Sequence, residues 1–188
     1  MLYTSPKKIP DGRYYLKVTS DEGDRLMLQL NDTTLVTKFS EGDNVTLSLS
    51  NTSREKIDAV NSENLIQAGV NSKEWFEKTV TKKTLQAAYV TNINKNVMNV
   101  GKATVNKTVV TKCYDQSKEL VDLDSLEENT QCDVMVELSG LWFAKKTFGP
   151  IWRIAQVRLK APPKKKYTDE YLFEDEEADS EENDEDYI

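Results

Sequence analysis

Hydrophobic and polar residues alternate in short runs over the first fifty positions. Arg13 to Val18, Arg25 to Leu30, Thr34 to Phe39 and Asn44 to Leu49 each show partial period-two patterning, which predicts antiparallel strands. Asp11-Gly12, Glu22-Gly23-Asp24, Asn31-Asp32 and Glu41-Gly42-Asp43 separate them with turn chemistry. From Ser53 to Leu85 the alternation loosens, and Asn71-Ser72-Lys73-Glu74 ahead of Trp75-Phe76 and Val80 predicts at least one helix. β-Branched residues return from Ala87 to Tyr114, and Asn94-Lys95-Asn96 suits a hairpin turn there.

The most regular stretch begins at Asp133. Val134, Val136, Leu138, Gly140 and Trp142 share one parity, and Glu137, Ser139 and Phe143 share the other, which predicts a half-buried strand. Ala144 to Pro150 reads as a turn. Ile151 to Lys160 then returns as a strand that should not hold Pro150 in its interior. Ala161-Pro162-Pro163 ends the pattern. The domain reading is a β domain over 1–161, a Pro/Lys linker over 162–168 and an acidic tail over 169–188, too charged to pack and expected to be disordered.

Charge changes the picture. The chain of 188 residues has a net charge of −7, which alone argues against nucleic acid. Twelve carboxylates and no base lie in 169–188, so the rest holds twenty acids against all 25 basic residues, a net of +5. Lys73 to Lys118 contributes nine lysines against Glu74, Glu77 and Asp115, and Lys145 to Lys166 eight bases and no acid. A basic body therefore carries an acidic tail.

The absence of histidine removes His-based triads, dyads, acid/base catalysis and metal ligation. Cys113 and Cys132 lack metal-site spacing and read as reduced structural thiols. No phosphate-binding loop, dinucleotide fingerprint or calcium loop occurs, so neither enzyme activity nor a cofactor or metal is expected. Met1 to Lys8 lacks a secretory pattern, and no apolar run approaches the ~20 residues that span a bilayer; the expectation is a soluble, intracellular protein with no membrane partner.

Positive chemistry points to single-stranded nucleic acid, which needs aromatic platforms for bases and cations for phosphates. Leu141 to Arg153 interleaves both. The candidate DNA-binding set is Trp142, Phe143, Phe148, Trp152, Lys145, Lys146, Arg153, Arg158 and Lys160, with Lys95, Lys102, Lys107 and Lys112 from the preceding strands. Parity makes Phe143 and Phe148 the better stackers. It assigns Trp142 to the core face unless a bulge at Gly140 reverses the faces, and it leaves Trp152 divided between the two roles. The tail ends in Asp184-Glu185-Asp186-Tyr187-Ile188, whose apolar tip suits a partner's pocket. A tethered polyanion of this kind also competes with DNA for a basic groove.

Leu141-Trp142-Phe143, Phe148-Gly149-Pro150-Ile151-Trp152 and Gln156-Val157, followed by the acidic tail, resemble the viral OB-fold single-stranded-DNA-binding proteins of podophages and of nucleocytoplasmic large DNA viruses. The resemblance covers about a fifth of the chain. It implies a five-stranded Greek-key barrel that coats single strands during viral DNA replication and recombination. It also implies recruitment of DNA polymerase or helicase through the tail, often as a homodimer, at the site of viral replication in the host. Trp142, Phe143, Phe148, Trp152 and Arg153 fall within the resembling motif, and Tyr187 stands for a terminal aromatic, displaced by Ile188. Two alternatives stay open: an acidic-tailed chaperone or scaffold whose β domain binds proteins, and an RNA-binding protein of similar construction.

Overall fold

The computed structural model of the chain describes residues 1–161. Its principal strands are β1 (Tyr14–Thr19), β2 (Leu26–Leu35), β3 (Asn44–Ser48), β4 (Val97–Lys102), β5 (Lys112–Tyr114), β6 (Gln131–Phe143) and β7 (Phe148–Leu159). Helices α1 (Asn51–Val70), α2 (Ser72–Phe76) and α3 (Lys82–Ala88) lie between β3 and β4. The fold is mainly β. The expected hairpin at Asn94 to Asn96 forms, with the two-residue strand Ile93–Asn94 pairing back on β4.

Pairing is antiparallel for β2 with β3 and for β3 with β4, and parallel for β4 with β7 at Gly101 and Arg153. β7 is antiparallel to β6, and the first half of β6, from Gln131 to Leu138, is antiparallel to β2, so the chain of hydrogen-bonded neighbours returns to its start. β6 outruns β2 and uses its second half, Gly140 to Phe143, to hold β1. β5 lies parallel to the far half of β7. The interior is closed by Leu16, Leu30, Leu47, Met98, Val136, Leu138 and Ile154, none of which retains accessible surface.

Two sequence expectations change here. Asn31-Asp32 is not a turn: β2 runs through it with Asp32 at φ 55° and the ladder to β6 slips between Cys132 and Val134. The residues form a bulge, because an Asx residue accepts the left-handed conformation that a bulge requires. Thr34 to Phe39 is therefore no separate strand. Pro150 lies inside β7 after all, opposite Leu141. It falls between the bridge of Tyr89 to Phe148 and the start of β4 pairing at Arg153, where the strand has no second neighbour asking for its missing N–H.

The bulge also anchors α1. Ser50 Oγ accepts from the Ser53 N–H as the N-cap, and the hydroxyls of Ser50 and Ser53 both donate to Asn31 O, at 2.9 and 2.7 Å. The buried face of α1 carries Ile57, Val60 and Ala68 but also Asn61 and Asn64. Their amides are satisfied by tyrosines: Tyr3 Oη donates to Asn64 Oδ1 at 2.9 Å, Asn64 Nδ2 to Tyr89 Oη at 3.0 Å, and Tyr89 Oη to Asn61 Oδ1 at 2.8 Å. Burial raises the phenol pKa of both tyrosines. Among the described residues no helix is long and apolar enough to cross a membrane.

Candidate nucleic-acid interface

The terminal hairpin forms from the expected residues, but its faces are exchanged. Leu138 pairs with Trp152 and the next pair is Gly140 with Ile151, so Ser139 is an extra residue on β6. This bulge reverses the parity. Val134, Val136 and Leu138 point inward before it, and Leu141 and Phe143 after it, which turns Trp142 outward and half-exposes it. A second irregularity on β7, where Gln156 and Ile154 face the consecutive residues Met135 and Val136, puts Trp152 and Ile154 in phase with the core.

Phe143, Phe148 and Trp152 are therefore packing residues, with 6%, 1% and 2% of their surfaces exposed, and not free stacking platforms. Phe143 and Phe148 stack on each other with centroids 5.7 Å apart, and Trp75 and Phe76 of α2 meet them edge-on. The helical layer thus covers one face of this part of the sheet. Trp142 stands on the other.

That outer face is built on glycines. One row of partners runs from Lys7, on a two-residue strand (Lys7–Lys8) beside β1, through Tyr15 and Trp142 to Gly149. A Cβ on Gly149 would come within 3.3 Å of the Trp142 indole nitrogen, and one on Gly140 within 2.5 Å of the Tyr15 ring. The Tyr15 ring thus lies against the bare backbone of Gly140, and the indole edge of Trp142 borders the Gly149 position, which the Val90 carbonyl fills. The Tyr15 hydroxyl donates to Ser139 O at 2.5 Å, so the bulge that turns Trp142 outward also pins its neighbour. Burial raises the Tyr15 pKa and the charge of Glu137 adds to this, against smaller opposing effects of the Ser139 hydrogen bond and of Arg153.

A second row runs Asn44, Gly101, Arg153 and Glu137. The Arg153 side chain lies across Gly101, where a Cβ would meet its guanidinium nitrogen at 2.5 Å, and it donates to Lys102 O at 3.4 Å. Arg13, Tyr15, Trp142, Ile151 and Arg153 line a shallow concavity of about 370 Å³ on this face. Lys17, opposite Gly140, is exposed beside it. Asp11, held by Arg13 at 2.5 Å, and Glu137 supply negative charge at its edges. The arrangement offers flat apolar surface beside the Arg153 guanidinium, which suits a base beside a phosphate.

The other predicted cations are dispersed. Lys145 and Lys146 are exposed in the β6–β7 turn, beyond the Trp142 end of the face. Lys102 is buried and donates to the carbonyls of Phe39 and Gly42 (2.6 Å to the latter), so it closes a loop and leaves the groove set. Arg158 bonds Asp133 at 2.6 Å, and Lys160 pairs with Asp32 and Asp133, so the charges of both are matched within the fold. Lys95 and Lys107 occupy left-handed turn positions, φ 55° and 66°, and Lys112 lies on β5; all three are exposed but none lines the concavity. Asp184 to Ile188 lies outside the described residues.

The sequence profile of a family described as "Family of unknown function (DUF5871)" matches residues 32–175, most of the chain. The chain belongs to this family. No curated protein matches this DUF5871 member. Among solved structures it is similar to the single-stranded DNA-binding protein from bacteriophage Enc34 in complex with ssDNA, at a TM-score of 0.47 and 9% identity, over 83% of this chain and 94% of that one. It is likewise similar to the C-terminal truncation of that protein, at 0.46 and 9%, over 83% and 93%.

In the DUF5871 chain, then, the structure brings Trp142 and Arg153 together and adds Arg13 and Tyr15, which the alternation alone marks only as parts of an ordinary strand. Their signal was present as the alternation Arg13, Tyr15, Lys17, a basic and aromatic stripe opposite Leu16 and Val18.

Proposed function

We propose that the protein binds single-stranded DNA without reading its sequence, across the outer face of β1, β6 and β7. Bases stack on Trp142 and Tyr15, and phosphates meet Arg153, Lys7 and Lys17, with Lys145 and Lys146 extending the track; Arg13, ion-paired with Asp11, borders it. What supports this is one concavity in which Tyr15 packs against Gly140, the Trp142 edge borders Gly149 and Arg153 stands beside them. These half-buried rings keep stacking surface that the fold itself does not use. Each base stacked on an aromatic contributes ~1–3 kcal/mol, so two platforms with phosphate contacts suffice for useful affinity.

We read the circuit β2, β3, β4, β7, β6 as an OB-type barrel, on its strand order and its parallel β4–β7 pair. On this reading the protein protects single strands during viral DNA replication and recombination and is not an enzyme. Its acidic C-terminal residues compete with DNA for the basic face and recruit replication proteins, and a homodimer forms the working unit. Anisotropy titrations with labelled oligothymidine, oligouridine and duplex DNA test the proposal. Tighter binding of oligothymidine than of either competitor is the expected result; tighter oligouridine binding would make RNA the ligand, and no binding at low salt would leave a protein-interaction module.

A further inference from the structure

An apolar groove lies between α1 and α3, on the helical layer and away from Trp142. Leu65, Ile66, Gly69, Val70, Val80 and Leu85 line it, and its volume is about 520 Å³. Ile66 and Val70 are 58% and 74% exposed, unusual for branched aliphatic residues on a helix that already buries its other face. Charge is graded along the exposed stripe of α1. Glu55 and Asp58 stand near its start, the apolar residues follow, and Lys73, Lys82 and Lys83 are exposed around its far end. Arg54 pairs with Asp58 and Lys56 donates to Gln29 O, which leaves Glu55 as the acid with no ion pair near the start among the described residues; at the far end Glu74 accepts only from the neutral Ser5 and keeps its charge beside the lysines.

The sequence beyond the described residues carries the complementary order. Lys164-Lys165-Lys166 comes first, Tyr171-Leu172-Phe173 next, and Glu174-Asp175-Glu176-Glu177 last. The family match runs to residue 175, past the end of β7 at Leu159, and so takes in the apolar tripeptide. We propose that residues 164–177 dock in cis along α1, with Tyr171-Leu172-Phe173 in the α1–α3 groove, the three lysines beside Glu55 and Asp58, and the following acids beside Lys73, Lys82 and Lys83.

The reach fits. β7 ends beside the start of α1, because Lys160 pairs with Asp32, and the neighbouring Asn31 O accepts from Ser50 and Ser53 at the helix N-terminus. A rise of ~1.5 Å per residue puts Ile66 about 20 Å and Val70 about 26 Å along the axis from Ser53. Residues 162–170, led by two prolines, span roughly 28 Å at ~3.1 Å each in an extended proline-type conformation. The tripeptide arrives over the groove with little slack. This site is separate from the proposed DNA face and does not depend on it.

Disulfide trapping in the full chain tests the proposal. Ile66→Cys is combined in turn with Tyr171→Cys, Leu172→Cys and Phe173→Cys, and the control replaces Ile66→Cys by Val36→Cys, which is 41% exposed and closer to the end of β7 because Leu35 bonds Thr130 beside the Gln131 that holds Lys160. At least one groove pair should close an intrachain disulfide tenfold faster than its control. Equal rates, or a disulfide formed chiefly between two copies, would overturn docking in cis. Leu172→Ser with Phe173→Ser should also shift the methyl resonances of Ile66, Val70 and Leu85; unmoved resonances would likewise overturn it.

Discussion

Trp142 stands directly across the β6–β7 ladder from Gly149, with its indole nitrogen 3.3 Å from the place a Cβ at position 149 would take. The same Cβ would lie 2.2 Å from the carbonyl oxygen of Val90, whose own N–H donates to Phe148 O at 2.8 Å. Gly149 is thus squeezed between a surface ring and a backbone segment leaving α3. Gly149→Ala should cost about 1–3 kcal/mol of stability, as other insertions into filled space do. Denaturant unfolding checks this, and an unchanged midpoint would mean that the Val90 segment moves freely.

Phe143→Ala and Phe148→Ala should each cost roughly 3–5 kcal/mol of folding free energy, because both rings are enclosed by α2 and by each other. Trp142→Ala should cost far less stability. A thermal melt of the three variants separates the roles: similar losses for all three would place Trp142 in the core.

Arg153 and Lys160 are both cations on β7 or at its end, yet they should behave differently. Arg153→Gln should lower the slope of log affinity against log salt by about one, since it faces the concavity. Lys160→Gln should leave the slope unchanged, because its charge is matched by Asp32 and Asp133. Titrations at several salt concentrations decide the matter, and a reversed order of effects would relocate the phosphate track.

Asp133 gives the fold an acid sensitivity. Burial alone would raise its pKa, but hydrogen bonds from Arg158, the Asp32 N–H and Lys160 outweigh this and hold the carboxyl below its ordinary value. A depressed folded-state pKa stabilises above the unfolded value, and that stabilisation disappears as pH falls through the folded one. Between about pH 5 and pH 2 the native chain should lose more stability than Asp133→Asn, measured by Tm against pH. Parallel curves for the two proteins would exclude Asp133 as the source.

Much of the β framework is legible in alternation, and the candidate site is legible only in part. β1, β3 and the hairpin on β4 follow their period-two patterns because one face of each is buried. α1 escapes such a reading because Asn61 and Asn64 occupy inward positions, where Tyr3 and Tyr89 satisfy them instead of apolar neighbours. On β6 the decisive feature is one extra residue, Ser139. Alternation read from Val134 assigns Trp142 to the core and Phe143 to the surface, and a single bulge exchanges them. The separate irregularity on β7 between Ile154 and Gln156 brings Arg153 to the face that Trp142 joins, and Tyr15 is there by the plain alternation of β1. Bulge position depends on the partner strand, which no local pattern contains.

The central claim concerns Trp142, and tryptophan fluorescence isolates it. Trp75 and Trp152 are 8% and 2% exposed, so of the three tryptophans an added strand can stack directly only on Trp142. Titration of the full chain with oligothymidine at low salt should quench the emission, and Trp142→Phe should abolish most of that quenching while the protein stays folded. Quenching of equal depth in the variant, or none in the native chain, would contradict a DNA-binding face built on Trp142.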